Sequence, residues 1–172
     1  MSKRIVVSFP GGRGNEIPLL YFGAKHFEDM GYDKLFINHP ISNDFSLDNV
    51  LRNALDTLRN INWAEYEHIV FIAKSLGTIV ACNVKELLQI PATLILFTPL
   101  EGTVKYINKE NDVLFVAMGD KDKYLSSTLL EQHCNDNDIK CHIEQDVGHR
   151  MEVMSDLQRN LEIVFNIIRH LD

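Results

Sequence analysis

Ser75 stands in the run Ala73-Lys74-Ser75-Leu76-Gly77, with a small residue two positions to either side of it. A hydroxyl placed where an apolar run gives way to a helical pattern suits a sharp strand-to-helix turn, the nucleophile elbow. That turn strains the backbone of the serine and leaves room only for small neighbours. Ala73 fills the position where glycine is commoner. A serine hydroxyl attacks a carbonyl only when a base removes its proton, and a base imidazole needs a carboxylate to fix its tautomer and steady its positive charge. His149, at the end of Asp146-Val147-Gly148-His149, is the candidate base, and Gly119-Asp120-Lys121-Asp122 offers two candidate acids. Asp146 reads as a solvated loop residue. The oxyanion formed by attack needs two fixed N–H donors. Leu76 supplies one at the start of a helix, where the dipole also favours negative charge. The glycine loop Gly11-Gly12-Arg13-Gly14 supplies the other.

These residues need elements to hold them. Apolar runs rich in Val, Ile and Phe at 4–9, 34–38, 68–73, 93–97, 113–118 and 140–145 predict about six strands. Helical periodicity lies between them. Leu47, Val50, Leu51, Ala54, Leu55 and Leu58 form one stripe behind an N-capping Ser46. Leu157, Leu161, Val164, Phe165, Ile168 and Leu171 form another, and Pro18 opens a helix that Gly31 can end. Strict alternation of strand and helix predicts parallel strands joined by right-handed crossovers, with helices on both faces of one α/β sheet. The continuous apolar runs Ile69-Val70-Phe71-Ile72 and Leu94-Ile95-Leu96-Phe97 suit strands covered on both sides. In such sheets chemistry gathers at the carboxyl ends of the strands. Ser75, the Asp120/Asp122 pair and His149 all fall there.

With that chain order, and with Phe9-Pro10-Gly11-Gly12 after the first strand, the sequence resembles the α/β-hydrolase superfamily over nearly its whole length. It looks most similar to the small cap-less members, those related to dienelactone hydrolase and the minimal esterases. The resemblance implies a three-layer, doubly wound sheet ordered 2-1-3-4-5-6, lacking the first two strands and the cap of the full architecture, as a single domain over 1–172. It implies a cofactor-independent serine hydrolase of a small ester or thioester, with an acyl-enzyme on Ser75, His149 as base and Asp122 as the acid by family spacing, Asp120 being the alternative. The second oxyanion donor resembles Gly12, with Arg13 the alternative, since Pro10 stands where many relatives carry histidine. About ten residues separate Phe97 from the polar segment 108–112, too few for a lid, so Leu100 and Glu101 are candidate rim contacts over an open site. Arg13, Lys74 and Arg150 are candidate substrate contacts, although for Lys74 and Arg150 a surface ion pair with Glu101 or an aspartate is the commoner use of such a cation.

Composition excludes several other classes. The 172 residues carry a formal charge of −7 and are 45% apolar, enough for a core burying roughly 70% of the unfolded surface. A nucleic-acid binder needs a basic stripe, and no run of Lys or Arg here exceeds two residues. The short apolar stretch before Pro10 is neither a secretory leader nor a membrane span, so a cytoplasmic location is the expectation. Cys82, Cys134 and Cys141 fit no disulfide framework. No metal is expected, because the pairs His133-Cys134 and Cys141-His142 point their neighbouring side chains apart. A dinucleotide fingerprint from Gly12 would need a small residue where Ile17 stands, and Lys74-Ser75 follows apolar strand rather than the glycines of a phosphate loop. A flavodoxin-like nucleotide module therefore ranks below a catalytically inactive binding protein on the hydrolase fold. Ala73 and Pro10 are the residues that speak for the latter.

Overall fold

A computed structural model describes residues 3–39 and 46–171. The strands are β1 (Lys3–Phe9), β2 (Asp33–Phe36), β3 (Tyr66–Lys74), β4 (Thr93–Phe97), β5 (Val113–Gly119) and β6 (Lys140–Glu144). They make one sheet in the order β2-β1-β3-β4-β5-β6, and every neighbouring pair is parallel. The order is the expected one. The described helices are α1 (Pro18–Asp29), α2 (Leu47–Leu58), α3 (Leu76–Leu87), α4 (Ser127–Asp136) and α5 (Leu157–Ile168).

Each central strand is apolar on both sides because it feeds two cores. On one face Ile5, Val7 and Phe9 of β1, with Phe71, Leu94, Leu96 and Val116, pack under α2, α3 and α4. On the other, Val6, Val70, Ile72, Ile95, Phe97 and Phe115 pack under α1 and α5. Local signals fix the helix ends. Ser46 Oγ accepts the Asn49 N–H at 3.4 Å, a cap worth about 1 kcal/mol. Pro18 opens α1, and Gly31, at φ 86°, follows its last turn, donating its N–H to Glu28 O at 2.9 Å. The α2 stripe buries Val50, Ala54 and Leu58, whereas Leu47 in the first turn stays exposed.

The connection from β4 to β5 holds two 3₁₀ turns, Glu101–Tyr106 and Lys109–Asn111. Among the described residues that connection carries no cap over the carboxyl edge. Among the described residues no helix is long and apolar enough to cross a membrane.

Candidate active site

Ser75 sits between β3 and α3 with φ 56° and ψ −126°, a conformation that costs a non-glycine residue on the order of 1–3 kcal/mol and persists only where its surroundings over-determine it. Ser75 N–H donates to Phe97 O at 3.0 Å and Thr78 N–H to Ser75 O at 2.9 Å, while the Thr78 hydroxyl adds a second bond to that carbonyl at 2.7 Å. Gly77 explains the small residue two positions on. A Cβ there would lie 2.1 Å from Phe9 O, so any side chain would push the elbow off the end of β1.

His149 comes from the loop after β6. Its Nε2 lies 2.7 Å from Ser75 Oγ and its Nδ1 lies 2.7 Å from Asp122 Oδ2. With Nδ1–H donated to the carboxylate, Nε2 turns its lone pair to the serine hydroxyl. The Asp122 side chain is fully shielded from solvent and that of His149 is 20% exposed, a setting of lowered dielectric in which charge is felt strongly. The other Asp122 oxygen accepts the Tyr124 N–H at 2.9 Å. Asp120 has a different place: its Oδ1 accepts the Val147 N–H at 3.3 Å and so holds the loop that carries His149. Asp146 is exposed and pairs with Lys121 at 2.5 Å.

The loops carrying Asp122 and His149 are pressed together at Gly119. A Cβ there would stand 2.1 Å from Val147 O, and the adjoining Lys121 N–H donates to the same carbonyl at 3.0 Å. Gly119→Ala is therefore expected to cost about 1–3 kcal/mol by overpacking, a fall of several degrees in a thermal melt. A melting temperature within a degree of wild type would remove this account of the glycine.

Beside Ser75 lies a cavity of about 280 Å³ lined by Gly11, Gly12, Arg13, Ile17, Lys74, Ser75, Tyr124, His149 and Arg150. Gly11 is the loop residue pressed against Ser75, for a Cβ on it would lie 2.9 Å from Ser75 Cβ. Gly12 and Arg13 follow on the solvent side. Arg13 pairs with Glu152 at 2.9 Å, which offsets much of its charge, and Arg150 is exposed at the rim.

No protein-family model and no curated protein matches the sequence. Solved structures do match. An α/β serine hydrolase homologue from Coxiella burnetii superposes with a TM-score of 0.73 at 14% identity, over 100% of this chain and 86% of that one. Est1E from Butyrivibrio proteoclasticus, solved with ferulic acid bound, gives 0.69 at 12% identity, over 99% and 89%. An α/β serine hydrolase without a lid from Xanthomonas campestris gives 0.65 at 14% identity, over 99% and 81%. The fold is that of the α/β hydrolases.

Within this α/β-hydrolase fold, Arg13, Lys74 and Arg150 line the cavity as expected, whereas Leu100 and Glu101 do not. Among the described residues Lys74 has no ion-pair partner, and it faces the cavity from a buried position. It is 4% exposed, its Nζ donates to His149 O at 2.8 Å and to Thr98 Oγ1 at 3.0 Å, and burial pushes its pKa down to about 8. Leu100 and Glu101 stand outside the cavity lining. The 3₁₀ turn that Glu101 opens is drawn down onto α3, where Thr103 Oγ1 meets Thr78 Oγ1 at 2.7 Å and Tyr106 Oη donates to Glu86 at 3.1 Å.

Other residues join the site without a signal in the sequence. Tyr124 sets its ring edge-on to the His149 imidazole, 4.6 Å between centroids. At Pro10 the loop after β1 is met by a histidine from the segment after β2. His39, beyond β2, lies with Nε2 2.8 Å from Pro10 O. Asn15 binds the same loop to the sheet, accepting from Ser8 Oγ at 2.7 Å and donating to Ile37 O at 2.8 Å. Within the His and Cys pairs the two histidines part, His133 Nε2 meeting Ile107 O at 2.7 Å and His142 Nε2 meeting Glu144 Oε2 at 2.7 Å, while the Cys134 and Cys141 side chains meet each other.

Proposed function

We propose that the chain is a serine hydrolase that cleaves a small ester or thioester through an acyl-enzyme on Ser75. The observation that carries this reading is the unbroken hydrogen-bonded line from Ser75 Oγ through His149 to the buried Asp122, 2.7 Å at each link. His149 takes the hydroxyl proton as Ser75 attacks the carbonyl. The Leu76 and Gly12 N–H groups receive the oxyanion, and His149 returns the proton to the leaving alcohol or thiol. Water, activated by the same imidazole, then releases the acid. A cavity of about 280 Å³ is small among ligand pockets, which begin at roughly 300 Å³, so a short acyl group suits it. Ferulic acid, held by Est1E, is a carboxylic acid and belongs to the product class of such a reaction.

Incubating the folded protein with a fluorophosphonate and measuring its intact mass tests the reading. One adduct is expected, mapping to Ser75 after digestion. Folded protein that takes up no label removes the proposal.

A further inference from the structure

The loop carrying His149 runs from the end of β6 to the start of α5, residues 145–156, without regular secondary structure. Asp146, Met151 and Ser155 within it have positive φ, so its shape rests on individual hydrogen bonds. On one side the Val147 backbone is held by Asp120 Oδ1 and by Lys121 N–H. On the other, Asn160 exchanges two bonds with the Val153 backbone. His149 lies between these anchors, and its own carbonyl is held by Lys74 Nζ at 2.8 Å. The same ammonium holds Thr98 Oγ1 at 3.0 Å, and Thr98, just past β4, is itself at φ 43°. One buried nitrogen thus ties together the residue before the nucleophile, the end of β4 and the backbone of the base.

A cation in this place is costly. Burial drives the Lys74 pKa down, with Asp122 and Glu152 pulling it back and Arg13 opposing them. Among the described residues no carboxylate comes within ion-pair distance of it; Asp122 pairs with His149 and Glu152 with Arg13. Plain core packing would be served as well by a methionine, which fills the volume without the desolvation penalty. What methionine lacks is a donor for the His149 carbonyl.

We propose that Lys74 is a positioning residue for the reaction, setting the height of the His149 imidazole over the Ser75 hydroxyl by holding the His149 backbone carbonyl. The inference rests on Ser75 and His149 being nucleophile and base. Displacing a reacting group by a fraction of an ångström to an ångström lowers the rate by one to two orders of magnitude, so the effect falls on the chemical step and not on binding.

Lys74→Met removes the donor and keeps the length of the side chain. With a short p-nitrophenyl ester, kcat is expected to fall about 30-fold while KM stays within about twofold. The proton NMR signal of the His149 Nδ1–H is expected far downfield in the wild type, from its 2.7 Å bond to Asp122, and is expected to shift or broaden in the variant. Thr98→Val cuts the second anchor and leaves the first, so a smaller loss of about threefold in kcat is expected, with no further loss in the double variant beyond Lys74→Met alone. Wild-type kcat in folded Lys74→Met, or a loss matched by the unfolded fraction in circular dichroism, overturns the inference while fluorophosphonate labelling of the wild type upholds the hydrolase reading. If Lys74→Met does not fold, Thr98→Val decides by the same kcat criterion. Wild-type protein that neither labels nor hydrolyses removes both.

Discussion

Ser75→Ala is expected to lower the turnover of a short p-nitrophenyl ester by about 10⁴-fold or more, because no acyl-enzyme can form without the hydroxyl and the remaining groups act as a unit with it. The fluorophosphonate adduct should vanish with the activity. Stability should change little. The strained conformation at φ 56° is retained by alanine, and the backbone bonds to Phe97 and Thr78 that hold the elbow do not involve the hydroxyl. A melting temperature close to wild type, together with lost turnover, separates a chemical role from a structural one. Activity that survived the substitution would place the nucleophile elsewhere and remove the proposed function.

The second large effect distinguishes two aspartates two residues apart. Asp122→Asn should reduce kcat by roughly 10³- to 10⁴-fold, since an amide that donates toward Nδ1 favours the wrong imidazole tautomer and supplies no charge for the imidazolium. Asp120→Asn should cost less than about tenfold, because its task is to accept the Val147 N–H, and the asparagine oxygen still accepts. Steady-state kinetics on the two variants, each checked for folding, measures the contrast. The reverse ranking would transfer the orienting role to Asp120.

Both tests concern residues that can be picked out in the chain before any coordinates, and the reason is local. The elbow depends on small residues at fixed offsets from Ser75, and its supports are the ends of strands whose apolar runs announce themselves. The order β2-β1-β3-β4-β5-β6 agrees with what strand and helix alternation and the hydrolase resemblance imply. The spacing that favours Asp122 over Asp120 also has a local basis. Gly119 must stay bare beneath Val147, and a short turn from it, closed by Asp122 N–H to Gly119 O at 3.2 Å, brings the third residue round.

The rest was decided by contacts between segments far apart in sequence. Lys74 reads as a surface cation because lysine is so seldom buried unpaired. Its place depends on the carbonyl of a residue 75 positions away. Leu100 and Glu101 read as rim residues because they follow a strand end, but the hydroxyl pair Thr78–Thr103 and the Tyr106–Glu86 bond pull their turn onto α3 and away from the cavity. Tyr124 on His149, Glu152 on Arg13 and His39 on Pro10 follow the same rule. By itself the sequence determined the periodicities, the turns and the order of the reactive side chains, since these are set by neighbours within a few residues. Only the tertiary structure decided which carbonyl a buried ammonium holds and which side chains line the cavity, because those depend on where distant loops meet once the two cores are packed.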